Sequence, residues 1–210
     1  MARSHPGQLS LFDDLSHPGL LAGSAMPAEP APVEADQLLL ALLAGGKSAG
    51  AILGLAESLA ARHGLTDHLL VADLFHVPLL HLGAADYLDD AELARIASCG
   101  AAVEMRRFSI HLGDVESQIG TEGLHPIRVG LKGTDEIDML ADLLHRGLRE
   151  RGLVGEPAEG FTLLLGESPS LVPYAPIARP IEVPVREFAL VRHVVSQGRH
   201  EVLQKWTLAA

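Results

Sequence analysis

The sequence predicts a mixed fold of helices and strands rather than a helix bundle. Apolar residues change period along the chain, from continuous runs to helical spacing and back. The 21 glycines and 13 prolines supply many turns. The segments REFALVRHVV and HEVLQKWTL, joined by SQGR, read as a β-hairpin closing the C-terminus. With 210 residues, 48% of them hydrophobic but only 4% aromatic, the chain builds one folded unit whose core is Leu, Ala, Val and Ile.

The first 35 residues stand apart, because MPAEPAPVEA (26–35) is a Pro/Ala/Glu linker that buries too little apolar surface to order itself. The expected division is a disordered tail, 1–35, and a folded domain, 36–210. DQLLLALLA (36–44) is an apolar run suited to a strand buried on both faces. GKSAGAILGLAESLAARHG (46–64) puts Ile52, Leu55 and Leu59 at helical spacing, with Gly64 as its stop. Strand character returns in LLVADLFHVPLLHLG (69–83), followed by a helix around 89–98 and strands at 103–112 and 125–132. TDEIDMLADLLHRGLRERG (134–152) offers Thr134 and Asp135 for an N-cap, aligns Ile137, Leu140, Leu144 and Leu148, and ends in Arg149, Arg151 and Gly152. The strand GFTLLLG (160–166) comes next, then a Pro-rich loop through Pro184, then the hairpin. Two halves, each with a long helix followed by an apolar strand, suggest a duplicated unit.

A net charge of −11 opposes broad binding to nucleic acid, whose affinity comes from Lys and Arg neutralising phosphates. It leaves room for a small nucleotide end in a pocket. The single Cys99 has no disulfide partner, which points to a reducing cytoplasm, and it reads as a small buried residue. The run LLLALLA (38–44) is far short of the roughly 20 residues of a membrane span, so no membrane partner is expected.

ALLAGGKS (41–48) fits a permissive phosphate-loop pattern between a strand and a helix, with LLVAD (69–73) in the pose of the accompanying acidic strand. Leu42, Leu43 and Ala44 would crowd such a loop, so Gly45 and Gly46 read as an ordinary strand-to-helix turn. The eleven histidines, His5, His17, His63, His68 and His145 among them, show no ligand spacing, and no metal site is expected.

Strand geometry gives FHVPLLHLG (75–83) its interest. Alternation puts His76, Pro78 and Leu80 on one side, and Val77, Leu79 and His81 on the other. A His-x-Thr strand uses this alternation to aim an imidazole and a hydroxyl at one phosphate. HVPLLHLG (76–83) is similar to His-x-Thr-Leu-x-Phe-Leu-Gly, and GFTLLL (160–165) lies where a second Pro-His-x-Thr-Leu would fall. With LLLALL (38–43) before them and FALVRHVVSQGRHEVLQKWTL (188–208) after them, segment 36–208 resembles the 2H phosphoesterase superfamily. That group includes bacterial 2′-5′ RNA ligase-like proteins and RNA 2′,3′-cyclic phosphodiesterases.

The resemblance implies an α+β, bilobal fold: two pseudo-symmetric lobes, each with an antiparallel sheet and flanking helices, around a central cleft. It also implies that one histidine takes a proton from the attacking oxygen, the other gives one to the leaving oxygen, and the threonines hold the phosphate. No cofactor is implied. His76 and Thr162 survive as the expected catalytic residues, but Pro78 replaces the first threonine, Gly160 the second histidine and Glu159 the proline before it. One positioned acid or base contributes about 10²–10⁴-fold, so this loss cripples the reaction unless another group substitutes.

His111 and His125 are the candidates for that substitution; His81 is expected on the wrong face, and His193 and His200 toward solvent or a neighbouring strand. Arg106, Arg107, Arg128 and Lys132 are candidates to line a phosphate pocket. Two accounts stay open: a phosphodiesterase of reduced or lost activity on an RNA end or cyclic nucleotide, and a binding scaffold for a nucleotide or a protein. In the tail, QLSLF resembles the peptide by which many bacterial proteins dock on the DNA sliding clamp, with Gln8, Leu9, Leu11 and Phe12 at the matching positions.

Overall fold

The computed structural model describes residues 35–65, 69–70, 75–85, 88–120, 123–197 and 199–210. The tail, with Gln8, Leu9, Leu11 and Phe12, lies outside the described residues, as do His68 and Asp73. Among the described residues, strands and helices follow in the order β1 Gln37–Leu43, α1 Gly46–His63, β2 His76–Ala84, α2 Asp90–Ala101, β3 Phe108–Ser117 and β4 His125–Lys132. Then come α3 Asp135–Glu150, β5 Glu156–Pro157, β6 Thr162–Ser168, β7 Ala175–Val185, β8 Glu187–Val194 and β9 Arg199–Thr207. They form a five-stranded sheet, β5-β2-β1-β8-β9, and a four-stranded sheet, β6-β4-β3-β7. Every ladder between these strands is antiparallel.

β1 lies between β2 and β8 and is buried on both faces, as its continuous apolar run predicts. Leu38, Leu40 and Leu42 enter the main core; Leu39 and Ala41 join Ala189 and Val191 in a second cluster. Asp36 ties β1 to the far end of β8, accepting hydrogen bonds from Arg192 Nε at 2.9 Å and Val195 N at 3.1 Å. Ala41 to Leu43 are strand residues, Gly45 caps α1 in extended backbone, and Gly46 takes a φ of +56°. The glycine pair therefore makes a strand-to-helix turn, and Ser48 donates to Glu182 O at 3.3 Å. α1 ends at Gly64, in the left-handed region at φ +70°.

α2 opens on a capping box in which Asp89 and Glu92 satisfy each other's backbone N–H groups, at 2.7 and 3.0 Å. α3 buries Ile137, Leu140, Leu144 and Leu148 completely. Thr134 stands at its N-cap, but the side chain makes no capping bond; Asp135, Glu136 and Asp138 supply the negative charge of the first turn instead. α1 packs against β7, whereas α2 and α3 pack on each other and on β9 and β2. Among the described residues, no helix is long and apolar enough to cross a membrane.

Three elements depart from the sequence reading. The Pro-rich loop is strand β7, carrying Pro176, Pro180 and Pro184. It lies at a sheet edge, where a missing N–H costs no ladder bond on the open side. The strand expected from 69 begins at His76; Leu69 makes an isolated bridge to Gly166 instead. β3 starts at Phe108 rather than 103, because the chain before it pairs with the C-terminus, Ala209 N donating to Met105 O at 2.8 Å.

Candidate functional site

Directly opposed residues of an antiparallel ladder project to the same face. His76 opposes Leu43, Pro78 opposes Ala41 and His81 opposes Leu39, and these three β1 residues alternate along one face. His76, Pro78 and His81 therefore share a side of the sheet. The expectation for His81 fails because the ladder shifts between Leu40 and Ala41, where an extra β2 residue is inserted. One inserted residue reverses every side chain beyond it. Pro78 is tolerated because β5 pairs only with Leu80 and His81, leaving the first half of β2 at an edge.

β2 and β6, one from each sheet, pack against each other. A cavity of about 460 Å³ opens between them, with Pro78 and His81 on the β2 side and Thr162 and Arg128 on the other. Glu156, Glu159 and Gly160 line its rim, and Gln118 reaches it from the end of β3. Pro78 and Thr162, from different sheets, thus line one space. Arg128 Nη1 donates to Thr162 Oγ1 at 3.2 Å, while Arg128 Nε is buried with no hydrogen-bond partner among the described residues. The guanidinium brings a positive charge to the cavity wall beside the hydroxyl.

Gly160 and Thr162 differ in backbone as well as side chain. β6 begins at Thr162, and Gly160 precedes it at φ +74°, outside strand geometry. A Cβ at Gly160 would touch nothing within 4 Å, but the positive φ strains any other L residue there.

His76 meets an unexpected neighbour, His200, which in turn meets His193. Its ring lies edge-on to His200, with centroids 4.4 Å apart, and His200 lies edge-on to His193 at 5.0 Å. His193 opposes both Gln37 and His200 in the ladders. Burial, then the positive charges of His76 and His193, lower the His200 pKa to about 4. The hairpin histidines thus turn toward His76. The ladders set His76 opposite Leu43 and His193 opposite Gln37, at the two ends of β1, so neither strand pattern nor register reveals this contact.

Solved structures share this geometry of two sheets. E. coli LigT in its apo form superposes with a TM-score of 0.66 at 17% identity, covering 85% of this chain and 100% of that one. This chain has the LigT fold. Besides LigT, a structure described as a phosphoesterase matches at a TM-score of 0.65 and 18% identity, over 83% of this chain and 99% of its own. A Thermus thermophilus protein matches at 0.64 and 20%, over 81% and 97%. The sequence itself matches no protein-family model and no curated protein. The expected α+β fold with two antiparallel sheets is thus observed.

Within the LigT fold, the remaining expected residues lie away from the cavity. His111 is exposed on β3 between Lys132 and Glu182. His125 Nδ1 accepts from Gly120 N at 3.3 Å, near the start of β4. Arg106 bridges Ala209, Arg107 donates to Leu208 O at 3.3 Å, and the Lys132 stem lies over Gly113. Only Arg128 of the four basic candidates lines the cavity. Among the described residues, no group of three His, Cys, Asp or Glu side chains could hold a metal ion. A second cavity, about 550 Å³ at the β1–α1 turn, is lined by Leu42 to Ser48 and by core residues such as Leu112, Leu163 and Val183, and His76, Pro78, Gly160 and Thr162 are not among its lining residues.

Proposed function

We propose that the cleft binds the phosphate of a nucleotide or RNA end, with Thr162 and Arg128 as its ligands, and that two-histidine catalysis at the motif positions is lost or strongly reduced. The observation carrying this reading is the Arg128–Thr162 pair at 3.2 Å, with both residues lining one cavity. Pro78 brings no donor to the space and Gly160 brings no proton-transfer group. LigT has been crystallised with phosphate, 3′-AMP, ATP and NADP+, which makes 3′-AMP a suitable probe.

Calorimetric titration of the full chain with 3′-AMP should give saturable binding. Arg128→Ala should weaken it by about 10- to 100-fold, since it removes a charge-assisted hydrogen bond. Thr162→Ala should weaken it less. Unchanged affinity in Arg128→Ala rejects the site. For catalysis, hydrolysis of 2′,3′-cyclic AMP by the parent should not exceed that by His76→Ala. Turnover that vanishes in His76→Ala would establish a working phosphodiesterase with an unrecognised second acid or base.

The tail adds a tethering role in the same proposal: QLSLF, through Gln8, Leu9, Leu11 and Phe12, docks the protein on a bacterial sliding clamp. Its support is the sequence resemblance of those positions.

A further inference from the structure

We propose that His81 is a phosphate ligand of this cavity in its protonated form, so that a nucleotide end is held more tightly at acid than at alkaline pH. The inference rests on the phosphate-binding reading above. The β2 wall of the cavity loses a hydroxyl donor at Pro78, because proline supplies neither a side-chain donor nor an N–H. His81 restores a donor to that wall, since the inserted residue in β2 turns it onto the face of Pro78 and into the cavity.

Its charged surroundings make the proton matter. Glu156 opposes His81 in the β5 ladder, and Glu159 lines the same rim. Arg128 faces it from the other sheet, and His76 lies on the same face of its own strand; its β1 partner, Leu39, carries no charge. Among the described residues, a phosphate entering here meets the fixed positive charge of Arg128 and the carboxylates of Glu156 and Glu159 unless His81 is protonated. A neutral imidazole offers one N–H donor, whereas the protonated ring offers two donors and a charge. Protonation and anion binding at His81 therefore favour each other.

The test is the affinity of the full chain for 3′-AMP from about pH 5.5 to 8, a range that brackets an ordinary imidazole's titration, measured beside His81→Gln, which keeps a donor but cannot titrate. The phosphate's own titration is common to both proteins and cancels in their ratio. Parent binding should be about tenfold tighter than His81→Gln at the acid end of that range and should converge with it at the alkaline end. His111→Gln, an exposed histidine away from the cavity, should follow the parent throughout. A ratio that stays flat, or a pH slope kept intact in His81→Gln, overturns the role of His81 while leaving the binding site standing. Absence of any 3′-AMP binding by the parent overturns both.

Discussion

His200 shows what the fold does to a single side chain. Burial, and then the charges of His76 and His193, hold its pKa at about 4, below the 6.5 of an ordinary histidine. The folded state thus prefers the neutral ring. The stability this contributes is fully present above pH 6.5 and is lost as pH falls toward 4, because the unfolded chain takes up the proton first. His200→Gln should flatten the fall of the urea midpoint across that window. An unchanged pH slope in the variant would remove His200 from the account. At this scale His76, Thr162 and Gly160 were legible as residue types in the sequence. The partners of His76 were not, because they come from β8 and β9, at the far end of the chain from β2.

Elements were read best where one physical pattern dominates. β4 falls on the expected 125–132, and α3 buries the predicted stripe of Ile137, Leu140, Leu144 and Leu148. β7 was missed because proline signals a break locally, and only its edge position makes proline harmless. The insertion in β2 was equally hidden, since alternation along one strand says nothing of the register with its neighbour. Packing between elements makes a sharper demand at Gly100, where α2 meets β9. A Cβ there would stand 2.3 Å from the Trp206 indole, which is itself stacked on Phe188 with ring centroids 5.1 Å apart. Gly100→Ala should therefore destabilise the fold by about 1–3 kcal/mol, even though alanine favours helix by about 1 kcal/mol. A urea midpoint raised by this substitution would contradict the packing.

At the scale of the whole molecule, the cavity exists because strands far apart in sequence are brought together. β2 and β6 belong to different sheets and meet only at their junction, where Pro78, His81, Arg128 and Thr162 converge. The tail makes a separate prediction of the proposal: a labelled peptide spanning residues 4–18 should bind a bacterial sliding clamp saturably, and exchanging Leu11 and Phe12 for Ala should abolish it. A clamp that ignores the parent peptide removes the tether without touching the phosphate site. The sequence by itself determined the mixed class, most of the element order and the central burial of β1, since periodicity and turn residues are local properties of a chain. Tertiary structure alone decided which face His81 occupies, which histidines surround His76 and which arginine reaches Thr162. Those depend on strand register and on the meeting of two sheets, and both are settled by long-range pairing and packing that a local pattern does not encode.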